Sequence, residues 1–410
     1  MHKVRLGDIA KITNGKSDVK DALLTGDYAF FDRSVDIKRS NKYLFDAEAI
    51  IIAGEDSRQI FEPRYFKGKF DLHQRCYVIY DVDKNYDSKY LFYRLKTLTK
   101  HFANVSVGST VPSLRLDNFT DLRFDVPDLD DQKIVARMLA ALDAKIKLNK
   151  KVNSELEVLV RELFNYWFVQ FEFPDENGRP YKTAGGAMVY NEELKRKIPA
   201  TWSAGGLNRF IANEKTGDWG KESAQANYSR KVTCIRGTDL NSILQTQQIN
   251  APERFILEKN THKLLQKNDI VIEISGGSPT QSTGRAVYIT DEVMSMFNNP
   301  LICSNFCKAI SVKKDLYLFF VYYLWQYLYD NGIFFGYEGK TSGIKNLLYE
   351  NFISSYKVAL PDEELLSRFN SAVKPLSSAI IANRKEAMSL LSVRNWLLPL
   401  LMNDQAKIND

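Results

Sequence analysis

Residues 130–164 read DDQKIVARMLAALDAKIKLNKKVNSELEVLVRELF, with neither proline nor glycine. Leu139, Ile146, Asn153 and Val160 fall seven apart, and Val135, Leu142, Asn149, Leu156 and Leu163 form a second row beside them. Two rows at this spacing make a heptad seam of about four heptads. A helix of about 40 residues is roughly 60 Å long. Alone it would leave an apolar stripe in water, so the fold must supply it with a long partner.

The chain contains that partner. Residues 362–397 read DEELLSRFNSAVKPLSSAIIANRKEAMSLLSVRNWL, and at an offset of 234 Asn149 aligns with Asn383. At the same offset Pro127, Leu142, Ile146, Lys151, Leu156 and Leu163 match Pro361, Leu376, Ile380, Lys385, Leu390 and Leu397. Upstream, Val111, Leu114, Asn118 and Phe119 match Ile344, Leu347, Asn351 and Phe352, while Tyr90-Leu91-Phe92 resembles Tyr317-Leu318-Phe319. The strand AIIIAGED at 49–56 resembles DIVIEISGG at 269–277. Four segment pairs in one order describe a duplication. The fold class expected is α/β (α+β): two globular heads separated by two long antiparallel coiled-coil helices, related by a pseudo-two-fold. The boundaries expected are 1–127 for the first head, 128–172 for the first helix, 173–200 for a linker, 201–360 for the second head and 361–410 for the second helix.

Antiparallel packing would bring the seam amides Asn149 and Asn383 together, where each satisfies the other and fixes the register. Pro375 lacks a backbone donor and is expected to kink or break the second helix.

The remaining composition excludes more than it specifies. A net charge of +6 permits a nucleic-acid partner without requiring one. Cys303 and Cys307 lie four apart with no second pair to complete a metal site, and read as small apolar residues near a strand. The apolar run at 317–329 is short and rich in tyrosine, so it reads as a buried helix. With no signal-peptide pattern at the N-terminus, a cytoplasmic protein without membrane contact is expected. No phosphate-binding glycine loop is present, and Asn298-Asn299-Pro300-Leu301 lacks the second proline and the aromatic of an adenine methyltransferase turn. His2, His73, His101 and His262 form no metal pair. No catalytic residue is assigned.

Both heads carry basic, polar segments suited to DNA. The stretch 58–75 offers Arg58, Gln59, Arg64, Lys67, Lys69, His73, Gln74 and Arg75. The second head offers Arg230, Lys231 and Arg236, then Ser278, Thr280, Gln281, Ser282, Thr283 and Arg285 in a polar loop. Arginine and glutamine can grip guanine and adenine edges, and lysine suits phosphate. Each segment could equally be a solvated hairpin.

The order head, helix, head, helix resembles the specificity subunit of type I restriction–modification systems. VPDLDDQKIVARMLAALDAKI at 126–146 resembles the start of that family's spacer helix, and FEFPDENGRPYKTAGGAMVYNEELKRKIPATW at 171–202 its link into the second head. RNWLLPLLMNDQAKI at 394–408 resembles its C-terminal end, with Asn403-Asp404 where the family often has Asn-Gly. The resemblance implies that each head reads one half of a bipartite site in double-stranded DNA and that the helices set the gap. It further implies docking of two modification (methyltransferase) subunits and association with restriction subunits. On this view the chain is non-catalytic and binds no cofactor; S-adenosylmethionine, ATP and magnesium belong to its partners, which methylate adenine N6 and cleave DNA. Two rivals remain open: a two-headed adaptor for protein partners, and a fragment of a self-contained restriction enzyme.

Overall fold

The computed structural model describes residues 1–245, 249–278, 280–341 and 344–406. Pro279 of the second-head loop and residues 407–410, which include the end of the C-terminal string quoted above, lie outside the described residues.

The first head begins with β1 (His2–Arg5), the single turn α1 (Leu6–Ile9) and β2 (Lys11–Asn14). Next come β3 (Tyr28–Phe31), β4 (Lys38–Ser40), β5 (Phe45–Ala53), β6 (Arg64–Leu72) and β7 (Cys76–Tyr80). Then follow α2 (Ser88–Thr97), α3 (Thr99–Val105), α4 (Asp117–Thr120) and β8 (Arg123–Val126). One six-stranded sheet has the order β2-β7-β5-β6-β3-β4. Its central strand β5 places Ile50, Ile51 and Ile52 consecutively, all fully buried. Successive strand residues face opposite ways, so an unbroken apolar run means that both faces are covered. Ile50 and Ile52 pack with Tyr90 and Leu91 of α2, whereas Ile51 packs with Phe70 and Val78. Each such side chain contributes about 1.5–3 kcal/mol of burial.

The helix α5 (Leu129–Phe164) then leaves through a π turn at Asn165–Val169 to the hairpin β9 (Met188–Asn191) and β10 (Arg196–Pro199). The second head contains β11 (Ser203–Gly205), β12 (Ile211–Thr216), β13 (Tyr228–Ile235), α6 (Gly237–Gln245), β14 (Glu253–Leu257) and β15 (Ile270–Glu273). It continues with β16 (Ser275–Gly276), β17 (Ala286–Tyr288), α7 (Asp291–Ser295), β18 (Leu301–Cys303), β19 (Cys307–Val312) and α8 (Leu318–Asp330). It ends with β20 (Glu338–Thr341), β21 (Ile344–Leu347), α9 (Tyr349–Ser355) and β22 (Val358–Leu360), before the helix α10 (Glu363–Met402). Helix α8 is the expected buried helix, with Trp325 near its centre packed tilted against Phe334 and edge-on to Phe352. Among the described residues no helix is long and apolar enough to cross a membrane.

The duplication is visible strand by strand. In each head the first strand pairs antiparallel with the last: β1 with β8, and β11 with β22. The ladder β2-β7-β5-β6 of the first head recurs as β12-β19-β15-β17. A parallel pair also recurs, with Phe31 opposite Leu72 and Ile235 opposite Cys303. The second head breaks the counterpart of β6 into β17 and β18, with α7 between them.

The chain forms two compact units, residues 1–146 with 389–410, and residues 147–388. In the first unit Val135 and Leu139 of α5 share a core with Leu401 and Met402 of α10, while Asp143 binds Arg394 at 2.7 Å. In the second, Val160 and Phe164 share a core with Phe369 and Val373, and Glu157 accepts from Arg384. Rising numbers on α5 meet falling numbers on α10, so the helices are antiparallel in each unit.

Two expectations about the seam need correction. Helix α10 runs through Pro375 without the break, with Val373 and Leu376 packed in the core on either side of it. The amide pair forms one turn away from the expected place. Asn383 donates to the Asn153 side chain at 2.9 Å, and Asn153 donates to the Ile380 carbonyl at 3.0 Å. Asn149 donates to Glu386 at 2.7 Å and meets Asn383 only at its backbone carbonyl, at 3.5 Å. The repeat counterpart of Asn153 is Ala387, so the sequence symmetry that suggested Asn149 opposite Asn383 does not extend to their partners.

Candidate nucleic-acid interface

At one end of the first head the turn from β6 to β7 is tied down on every side. The amide of His73 donates to the Phe31 carbonyl (2.9 Å), that of Gly54 to Arg75 (2.8 Å), and that of Cys76 to His73 (2.9 Å). The Gln74 amide donates to the Ser17 carbonyl at 2.9 Å. Below the turn, the buried Asp71 carboxylate accepts from Ser17 and Ser40, which fixes the loop after β2. Gly15 lies so close that a Cβ there would stand 2.0 Å from the Leu72 carbonyl oxygen. His73 and Cys76 are buried, while Gln74 and Arg75 are exposed. Arg75 and Arg33 both bind Glu55, and Arg58 binds Asp56 at 3.2 Å on the adjoining loop.

The second head repeats this construction. Ser304 donates to Ile235 (2.9 Å), Ile274 to Phe306 (2.9 Å), and Cys307 to Ser304 (2.8 Å). A Cβ on Gly217 would meet the Ser304 carbonyl oxygen at 1.9 Å. Ser304 and Cys307 are buried; Asn305 and Phe306 are exposed. They border an open groove of about 1170 Å³, flanked by Trp219, Arg236, Ser278, Ile344 and Lys345. Its two acids are already neutralised: Glu273 is gripped by Arg285, and Glu338 pairs with Lys345 at 3.0 Å. The hydrogen bond and charge of Glu273 hold the Arg285 guanidinium above its ordinary pKa.

The sequence-derived candidates divide accordingly. Arg58, Gln59, Lys67, Lys69, Gln74, Arg75, Arg230, Lys231, Thr280 and Gln281 are exposed. Lys67 lies 3.7 Å from Glu48 and Lys69 over the Tyr43 ring, both along β6; Lys231 binds Glu253 at 2.9 Å. Arg236 grips Asp239 and the Asn250 carbonyl but borders the groove, as does Ser278. Five candidates turn inward, contrary to the surface role expected of them. Arg64 donates to the carbonyls of Asp32 and Ser34, and burial lowers its pKa. His73 is buried and accepts from the Arg75 amide, and desolvation lowers its pKa as well. Ser282 and Thr283 are buried, Thr283 against Glu338. Arg285 is committed to Glu273 by two bonds, of 2.9 and 2.6 Å.

Sequence reasoning missed Arg33, Trp219, Asn305 and Phe306. The signal for the last two lay between the cysteines considered as metal ligands, since Cys303-Ser-Asn-Phe-Cys307 is a strand–turn–strand string. Both thiols are buried, and burial pushes Cys303 up to about 12, so neither is a poised thiolate. Among the described residues no cluster of His, Cys, Asp or Glu could hold a metal ion.

Residues 1–158 match the family model described as the type I restriction modification DNA specificity domain. The chain is 26% identical over 330 residues to the type I restriction enzyme MjaIX specificity subunit of Methanocaldococcus jannaschii, which covers 79% of this chain and 70% of that protein. It is 31% identical over 212 residues to the EcoDI specificity subunit of Escherichia coli, covering 49% of this chain and 46% of the relative. The crystal structure of the type I restriction–modification S subunit from M. genitalium has the same fold, with a TM-score of 0.61 at 17% identity and coverage of 98% and 95%. By matched domain and by fold, this chain is similar to the type I specificity subunits.

Proposed function

We propose that this chain is the DNA-recognition subunit of a type I restriction–modification complex, with each head reading one half of a bipartite target. The observation that carries the reading is the repeated turn: one backbone scaffold, anchored by the same hydrogen bonds, displays Gln74-Arg75 in one head and Asn305-Phe306 in the other. Two like scaffolds with unlike tips suit two unlike half-sites. The matched specificity domain and the named relatives support it.

In this reading α5 and α10 set the gap and dock two methyltransferase subunits, with restriction subunits completing the nuclease. The chain supplies position and specificity, while S-adenosylmethionine, ATP and magnesium act on the partners. Phosphate contacts by exposed cations such as Lys16, Arg58 and Arg230 would make binding salt-sensitive. Methylation of adenine inside a duplex requires the base to be flipped out, so the partners act on distorted DNA.

The test is co-expression with the neighbouring methyltransferase in a host lacking adenine methylation, followed by genome-wide mapping of N6-methyladenine. A split motif methylated on both strands is expected. No methylation by two folded, associated proteins would replace this reading with the adaptor. Deleting one heptad from each helix should shorten the gap and leave both half-sites unchanged; unaltered spacing would remove the helices from that role.

A further inference from the structure

We infer that Gln74-Arg75 and Asn305-Phe306 are the corresponding base-reading positions of the two heads, each acting on its own half-site. The inference rests on the DNA-recognition reading above and assigns its specificity to four residues.

Rigidity is the first ground. In both turns the flanking residues, His73 and Cys76 or Ser304 and Cys307, are buried, and the two residues between them alone reach solvent. A backbone tied at both ends offers these side chains to a groove with little ordering cost left to meet on binding.

Chemistry is the second. Each turn presents an amide first, and each amide is held on one side by the loop before it. Gln74 donates to Asp18 at 3.1 Å, and Asn305 accepts from the Trp219 amide at 3.1 Å. Gln74 keeps its acceptor and a second N–H, while Asn305 keeps both its N–H groups and a lone pair. That is the pair of groups a bidentate contact with adenine needs. At the second position the heads diverge. Arg75 can release Glu55 without leaving it unpaired, because Arg33 holds the same carboxylate at 2.8 Å. A freed guanidinium suits the O6 and N7 of guanine. Phe306 is 55% exposed beside the groove, placed to meet a thymine methyl or wedge between base pairs.

The experiment uses the full chain assembled with its methyltransferase, assayed on a randomised DNA library for methylation. Arg75→Ala should lower discrimination roughly ten- to hundredfold at one base pair of one half-site. Phe306→Ala should alter the other half-site only. If Arg75→Ala methylates nothing, Arg75→Lys decides, since it keeps the charge but loses the fork. Reduced discrimination at one base pair is then expected. Unchanged discrimination in these variants, or a change in the same half-site from both, overturns the assignment. A wild-type complex that methylates no split site sinks the DNA-recognition reading itself, whereas a wild-type split site with unresponsive variants sinks the present inference alone.

Discussion

The two heads share a ladder and differ in what hangs from it. Equivalent residues stand 202 apart at Gly15 and Gly217 but 233 apart at Leu114 and Leu347, whose amides bond the matching carbonyls of Gly54 and Ile274. The second head thus carries 31 more residues between those points. They enter between strands, as α6 with the turn after β14 and as α7, while the paired strands keep their register. Strand cores tolerate little change in volume, whereas loops accept insertions cheaply. The difference teaches which part is scaffold and which part accepts insertion.

The largest effect should come from a core element that only the second head has. Lys215 binds Asp269 at 2.6 Å, and both side chains are almost wholly buried. The equivalent first-head residues are Thr13 and Ala49, set by the shared register opposite Val78 and Tyr80. Removing one member strands a buried charge, so Lys215→Thr should destabilise the second unit by about 3–5 kcal/mol. Lys215→Thr combined with Asp269→Ala restores the first-head pair and should cost less than the single change. Chemical denaturation of the full chain checks this; a double variant weaker than the single one would show that the two heads balance their cores differently.

Much of this organisation was legible in the sequence, and the illegible part has a physical cause. The helices were legible because a heptad seam repeats identity at fixed spacing, as Leu142 and Leu376 or Ile146 and Ile380 do. The equivalence of His73-Gln74-Arg75 and Ser304-Asn305-Phe306 was not, because backbone hydrogen bonds fix it and no side chain repeats. Candidate contacts suffered from the period of two in a strand. A basic, aromatic count selects Arg64 and Lys67 alike, although one folds inward onto carbonyls and the other faces water. The seam amides misled by symmetry, since a repeat predicts equivalent positions and not equivalent partners.

A symmetric test of the shared scaffold comes next in size. Gly15→Ala and Gly217→Ala each drive a Cβ to about 2 Å from a backbone carbonyl oxygen, so the strand must shift. Each should cost its own head about 1–3 kcal/mol, and the two losses should be similar. Hydrogen exchange on β7 and β19 separates them. A large loss in one head with none in the other would break the equivalence of the turns.

The seam offers a smaller, asymmetric effect. Asn383→Leu leaves the buried Asn153 carbonyl oxygen without its donor and should cost about 1–3 kcal/mol. Asn149→Leu removes one donor from Glu386, which has other interactions, and a 3.5 Å contact with the Asn383 backbone carbonyl, and should cost less. Equal losses in urea denaturation would contradict the unequal partners described for these repeat-equivalent residues.

The smallest effect is a pH dependence confined to one head. His73 is buried in the first turn, and its equivalent in the second is Ser304. Desolvation, with Arg33 adding to it, lowers the His73 pKa below its ordinary value near 6.5. The unfolded chain then binds the proton more readily than the folded one. The neutral imidazole's contribution is complete above about pH 6.5 and is lost as pH falls through the window down to the folded value. Protection of β7 amides should therefore fall more than that of β19 between pH 7.5 and 5.5, and His73→Ser should bring the two into line. Equal losses in the wild-type chain would mean that His73 binds its proton as readily in the folded turn as in the unfolded chain, and burial would not set the heads apart in pH.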